Sequence, residues 1–226
     1  MMIKTVFIDV DNTLIDFNAC ALASMKEAFT YFGLPFSREV FSTFLKINNG
    51  LWEKIEKGTL TKKEHARIRW NLILEALHID FDGPRLEEKF VDGLNYHSFP
   101  IEGAQDLVAY LSKKYRLCVT SNASLAQQIN RLKIAGLYDY MANIYVSENV
   151  RFQKPAREFF EYCLNDLKIK NKEEVIVIGD SLRADIQGAN RVSLDSIWYN
   201  PKGMACTISP QPKYIVQDLK EIKKIL

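Results

Sequence analysis

The sequence predicts an α/β protein whose core is a three-layer, Rossmann-like parallel sheet, with a helical segment inserted after the first strand. Three observations predict it. The chain opens on a continuous apolar run from Ile3 to Asp9, rich in Val, Ile and Phe, which suits a strand covered on both faces. From Pro100 onward short apolar strands alternate with helical patterning, and such alternation implies right-handed crossovers within a parallel sheet. Between these parts, residues 37–96 carry helical patterning alone, and a structureless connection of that length does not suit a compact domain.

Taken in order, the first strand ends at the charge of Asp9. From Asp16 to Phe32 apolar residues recur at helical spacing (Ala21, Leu22, Met25, Ala28, Phe29, Phe32), and Gly33 with Pro35 supplies a stop. The insert continues with Phe41, Phe44 and Leu45, then Leu51 to Ile55, then a long helix from Thr61 to Leu77. Thr61 with Glu64 three positions on reads as its capping box. Helices are then expected over Ile101–Tyr115, Leu125–Leu137, Ala156–Leu167, Arg183–Arg191 and Leu219–Leu226. Strands are expected over Arg116–Thr120, Asn143–Val146, Glu174–Ile178, Ser196–Tyr199 and Tyr214–Val216. The expected division is therefore 1–16 with 97–226 for the core, and 17–96 for an α-helical cap.

With 226 residues the chain has room for one or two domains, and folding would bury roughly 72% of its extended surface. A hydrophobic content of 47% and a charged content of 26% exclude a disordered chain and a membrane protein on composition. A net charge of +2 is too balanced for an electrostatic nucleic-acid binder. Four scattered cysteines, none in a Cys-x-x-Cys pair, fit a reducing cytoplasm. The apolar start is interrupted by Asp9 and Asp11 before a signal-peptide core is complete, so no export signal is expected.

Ligands of doubly wound sheets bind beyond the carboxyl ends of the strands, where strand order reverses. The polar strand ends are thus read together: Asp9, Asp11, Asn12 and Thr13 after the first strand; Ser121 and Asn122 after the second; Asp180 and Ser181 after the late apolar strand, with Asp185 in the helix beyond. Lys154 precedes Pro155 in between. Asp180 alone could be an ordinary helix N-cap. Four acids brought together would repel by roughly several kcal/mol unless a cation sits among them or one is protonated. Oxygen ligands with no paired His or Cys point to magnesium. His65, His78 and His97 show no ligand pairing and read as surface or packing residues, and neither a Gly-x-Ser-x-Gly elbow nor a Walker loop is present.

These residues, Asp9-Val10-Asp11-Asn12-Thr13-Leu14, Ser121-Asn122, Lys154-Pro155 and Gly179-Asp180-Ser181 with Asp185, resemble in order and strand context the four motifs of the haloacid dehalogenase superfamily. The helical insert falls where that family places its cap. The resemblance implies that Asp9 attacks phosphorus to form an aspartyl-phosphate, and that Asp11 protonates the leaving oxygen and later deprotonates the attacking water. It implies magnesium held by Asp9, the main-chain carbonyl of Asp11 and Asp180, with Asp185 orienting a metal-bound water or Lys154 and Thr13 bracing the first loop. Ser121 and the amide of Asn122 would hold phosphoryl oxygens, and Lys154 would neutralise charge spreading over them. The second acid, Asp11, favours phosphate esters over haloacids as substrates.

The segment Asn48-Asn49-Gly50-Leu51-Trp52-Glu53 and the later Ile197-Trp198-Tyr199-Asn200-Pro201 look like the pyrimidine 5′-nucleotidase group. That resemblance makes a nucleoside monophosphate the expected partner, with Asn48 and Trp52 facing its base or ribose. Trp52 also lies on an amphipathic stretch with Leu51 and Ile55, which suits packing inside the cap equally well. Arg151-Phe152-Gln153 before Lys154, and Ala123 after Asn122, depart from the glycine-containing turns common in the family. The alternatives are a phosphatase of another small metabolite, such as phosphoglycolate or a sugar phosphate, a phosphomutase, and a non-catalytic binding module. A monomer or small homo-oligomer, with neither nucleic acid nor membrane as partner, is expected.

Overall fold

A computed structural model describes residues 2–226. The chain divides into two compact units, one made of residues up to Phe17 with Ser98–Leu226, the other of Asn18–His97. Each junction lies one residue beyond the boundary expected from sequence.

The first unit is an α/β sandwich. Six strands, β1 (Thr5–Ile8), β2 (Arg116–Ser121), β3 (Asn143–Val146), β4 (Val175–Gly179), β5 (Asp195–Tyr199) and β6 (Tyr214–Val216), form one sheet in the order β3-β2-β1-β4-β5-β6. Every pairing is parallel. The order runs in opposite directions on either side of β1 and β4, so the crevice where ligands bind in such sheets lies at their carboxyl ends. Both strands are buried throughout, as continuous Val, Ile and Phe runs in a doubly covered sheet require. Phe7, Val175 and Val177 lie in one core cluster with Phe159, Phe160 and Cys163.

Helices of this unit are shorter than their apolar periodicity suggests. The segment expected as helix from Ile101 is helical only over Ala104–Leu111, numbered α5 below, because Gly103 adopts a left-handed φ of 82° that marks the entry. Beyond the strands come α6 (Leu125–Ile134), the short α7 (Ser147–Val150), α8 (Arg157–Asp166), α9 (Gly188–Arg191) and α10 (Leu219–Ile225). The expected helix from Arg183 is instead a wide π-type turn, Leu182–Gln187, followed by α9. Its cause is local: the Ser181 carbonyl accepts from both the Asp185 and Ile186 amides, so the first turn is over-wide.

The second unit is all helix: α1 (Phe17–Tyr31, of which Phe17 belongs to the first unit), α2 (Arg38–Glu56), α3 (Lys62–Ala76) and α4 (Gly83–Tyr96). Thr61 and Glu64 form the expected capping box, which satisfies amides at the start of α3, and Asp82 caps α4 with Pro84 in its first turn. The core is aromatic: Trp70 lies 5.8 Å from Phe29, 5.7 Å from Phe44 and 5.3 Å from Phe90 between ring centres. One ion pair is buried among these rings. Arg69 donates to both carboxylate oxygens of Glu87 and stacks 4.8 Å from the Phe90 centroid. Among the described residues no helix is long and apolar enough to cross a membrane.

Candidate active site

The site begins where β1 runs out. The Asp9 amide still donates to Ile178 in β4, which fixes the Asp9 side chain at the top of the sheet. The chain then doubles back: Asn12 takes a left-handed φ of 59°, a conformation that asparagine tolerates better than most residues. The amides of Thr13, Leu14 and Ile15 all donate to the Val10 carbonyl, and that of Asn12 to Ile15. This turn returns the buried Thr13 hydroxyl to within 3.3 Å of Asp9 Oδ2 and 3.5 Å of Asp180 Oδ1.

Lys154 arrives from the loop after α7. The side-chain amide of Asn122 clamps its peptide, donating to the Lys154 carbonyl and accepting from the Lys154 amide, both at 2.9 Å. The ammonium is buried and saturated. Its three donors reach Asp9 Oδ1 at 2.7 Å, Asp185 Oδ1 at 2.6 Å and the Thr120 carbonyl at 2.7 Å. Asp185 reaches back because the wide turn after Ser181 folds its other oxygen onto the Ser181 amide at 3.1 Å. No residue larger than glycine fits at 179, since a Cβ there would stand 2.2 Å from Asp185 Oδ2. Trp198, buried in β5, donates from its indole to the Asp180 carbonyl at 2.8 Å.

Asp9, Asp180 and Asp185 thus present carboxylate oxygens within 4.8 Å of one another. Three carboxylates against one ammonium leave two negative charges in a buried site. Burial pushes the Asp9 carboxyl up from its ordinary 3.8 to about 7; Lys154 opposes this, while Asp185 and Asp11 add to it. Burial, followed by Asp9 and Asp185, likewise raises Asp180 well above its ordinary range. Burial would lower Lys154, but Asp185 and Asp9 overcome it and hold the ammonium above its ordinary 10.5. Lys154 offsets one of the three carboxylate charges. An all-oxygen donor set with a deficit of two charges fits a hard divalent cation of the magnesium type.

Asp11 departs from the expected convergence of four acids. Its carboxylate is not among the clustered oxygens; it is engaged from α6, where Arg131 Nη1 donates to Oδ1 at 2.5 Å and Gln128 Nε2 to Oδ2 at 2.8 Å. The same Gln128 nitrogen donates to Ser121 Oγ at 2.9 Å. The structure therefore draws Asp9, Thr13, Asp180, Asp185 and Lys154 into one cluster and links Asp11 with Ser121 beside it. Gln128 and Arg131 were not identified from the sequence. The signal was available: both lie with Leu132 on the buried face of α6, where an amphipathic helix should be apolar.

The two residues singled out in the helical unit fare differently from the sheet residues. Asn48 is only 2% exposed. Its side-chain carbonyl accepts from Arg69 Nη1 at 3.0 Å and lies 3.4 Å from His65 Nε2, so this amide is part of the buried polar network of the helical unit. The reason is helical phase, since Val40, Phe44, Asn48, Leu51 and Ile55 form the buried stripe of α2. Trp52 is partly exposed and its ring lies 5.4 Å from that of His65. His65 is a packing residue held neutral, its pKa lowered from 6.5 to about 3 by burial and by Arg69.

Comparison with known proteins places this geometry. Residues 6–199 match the family model described as haloacid dehalogenase-like hydrolase. The HAD-hydrolase YfnB of Bacillus subtilis is 32% identical over 223 residues, covering 99% of this chain and 95% of that protein. A crystal structure of YfnB bound to magnesium superposes with a TM-score of 0.95, covering 100% of this chain and 99% of that one. The pyrimidine 5′-nucleotidase PynA of Streptococcus pneumoniae is 29% identical, with coverage of 98% and 94%. The pyrimidine 5′-nucleotidase YjjG of Escherichia coli is 26% identical, with coverage of 98% and 96%.

Proposed function

Because the chain belongs to the haloacid dehalogenase-like hydrolase family, we propose that it is a magnesium-dependent phosphomonoester hydrolase, most specifically a 5′-nucleotidase acting on pyrimidine nucleoside monophosphates. The observation that carries the proposal is the buried cluster of three carboxylates and one lysine at the sheet crevice, two charges short of neutrality. The names of PynA and YjjG support the nucleotide preference, and the magnesium-bound YfnB structure supports the metal.

In this reading Asp9, Asp180 and the Asp11 carbonyl hold the metal, which when bound supplies charge neutralisation and positions the phosphoryl group. The Asp9 carboxylate attacks phosphorus in line, the ester P–O bond breaks, and the leaving oxygen takes the proton of Asp11. Asp11 then removes a proton from the water that cleaves the aspartyl-phosphate, which returns Asp9 and releases inorganic phosphate. The Ser121 hydroxyl and the Asn122 main-chain amide hold phosphoryl oxygens. Lys154, rigidly held by Asp185, Thr120 and the Asn122 clamp, offsets the charge on them in the transition state. The buried cysteines Cys118 and Cys163 are held as thiols by burial and fit a cytoplasmic protein.

The test is phosphate release from UMP and dTMP beside phosphoglycolate and sugar phosphates, with and without magnesium. Magnesium-dependent release favouring the pyrimidine nucleotides is expected. Preference for another ester would move the substrate assignment, and turnover that requires a bisphosphate activator would indicate a mutase.

A further inference from the structure

Resting on the phosphatase reading, the geometry points to Gln128 as a positioning residue that commits the Ser121 hydroxyl to donate and fixes the Asp11 carboxyl beside it, with Arg131 holding the other Asp11 oxygen. Ser121 Oγ accepts two hydrogen bonds, from Gln128 Nε2 at 2.9 Å and from the Ala123 amide at 3.1 Å. A hydroxyl has one proton and two acceptor lone pairs. With both lone pairs taken, the Ser121 proton can only be given away, which is the state needed to bind an anionic phosphoryl oxygen.

The orientation of Gln128 is not arbitrary. Its nitrogen donates to Asp11 Oδ2 at 2.8 Å as well as to Ser121 Oγ, while Arg131 donates to Asp11 Oδ1, so the amide presents its N–H groups, and not its oxygen, to both site residues. The consequence is visible at the other end of the amide: Gln128 Oε1 is buried without a partner. A buried orphan carbonyl is costly, so the site holds this side chain for the two bonds its nitrogen makes. Gln128 is fully buried and Arg131 is 1% exposed, so both are held by packing and do not swing in solvent. One amide nitrogen thus spans the group that binds phosphate and the group that handles the leaving-group proton.

The experiment compares the full-length wild type with Gln128→Met and Gln128→Glu on two esters: a nucleoside monophosphate, whose alkoxide must be protonated as it leaves, and p-nitrophenyl phosphate, whose phenolate leaves without that help. Inhibition by inorganic phosphate is measured alongside. For both variants kcat on the nucleotide is expected to fall about tenfold further than on the aryl ester, and the phosphate inhibition constant to rise about tenfold, the scale of one hydrogen bond to a charged group. Glutamate keeps the shape but replaces the donor with an acceptor, so a space-filling role would leave Gln128→Glu active. Equal losses on both esters with unchanged phosphate inhibition, or an active Gln128→Glu, would overturn the inference while leaving the hydrolase reading intact. Should neither Gln128 variant fold, Arg131→Lys carries the test: a loss confined to the nucleotide supports the inference and an equal loss on both esters overturns it. A wild type inert toward both esters would overturn both readings.

Discussion

Replacing Lys154 with methionine keeps the length of the side chain but removes the one positive charge among Asp9, Asp180 and Asp185. Little volume is lost, so the change removes the charge and its three hydrogen bonds, one of them to the Thr120 carbonyl, without opening a large cavity. Breaking a buried ion pair by removing one partner costs about 3–5 kcal/mol, because the remaining charge is left uncompensated. Both the Asp9 and Asp185 contacts are lost, which argues for the upper part of that range. For a domain of this size each kcal/mol shifts Tm by about 2–4 °C, so the chelated variant should melt about 10 °C or more below the chelated wild type at pH 8. The gap should shrink on acidification. Lys154 opposes the rise of Asp9 to about 7, so without it Asp9 lies higher still; the variant's folded state takes up that proton at higher pH than the wild type's and recovers more stability as pH falls. Scanning calorimetry of both proteins in EDTA, at pH 8 and pH 5.5, measures this directly, and magnesium at 100 times its dissociation constant should return about 2.7 kcal/mol to the wild type. A Lys154→Met protein whose Tm matches wild type at pH 8, or whose deficit is the same at both pH values, would refute the charge accounting.

Three further outcomes are expected. Asp11→Asn should reduce turnover on a nucleotide by about 100-fold or more while leaving the magnesium dissociation constant within about twofold, since the acid–base contribution lies in that range and the main-chain carbonyl is untouched; calorimetric titration with steady-state rates checks both. His65, lowered to about 3, favours the folded state fully above its unfolded 6.5 and loses that contribution as pH falls; between pH 7.5 and pH 5 the wild type should lose about 2 kcal/mol more than His65→Gln in urea titrations. Asn48→Ala should cost about 1–3 kcal/mol by leaving Arg69 and His65 short of an acceptor, with KM for nucleotides unchanged; a large KM rise at normal stability would return Asn48 to substrate binding.

The parallel sheet was legible because its central strands β1 and β4 are written as unbroken, buried apolar runs, and the limits of the less buried β3 and β6 match the expected ones to the residue. Asp9 and Asp180 were legible for a related reason: charge at the end of such a run has nowhere to go but the crevice, whereas Lys154, in the loop after α7, was legible only through its place in the family's motif order. What the sequence hid was decided by tertiary contact. Asp11 and Asp9 are two residues apart, yet only the buried Gln128 and Arg131 of α6 reveal that the Asp11 carboxylate is claimed from the side. Asn48, expected at the substrate from its segment, is placed by helical phase in the buried stripe of α2. The wide turn at Leu182–Gln187 competes with a regular helix on identical apolar spacing, and the Ser181 and Asp185 hydrogen bonds that decide it are local polar choices that periodicity does not encode.

The most direct test of the central claim is acid-quenched peptide mass spectrometry of the enzyme mixed with magnesium and a turned-over phosphate ester. The account predicts that the peptide containing Asp9 gains one HPO3 group during turnover, more heavily in Asp11→Asn with p-nitrophenyl phosphate, where hydrolysis of the intermediate is slowed. Phosphate release with no modification of Asp9, or modification at any other residue, would contradict it.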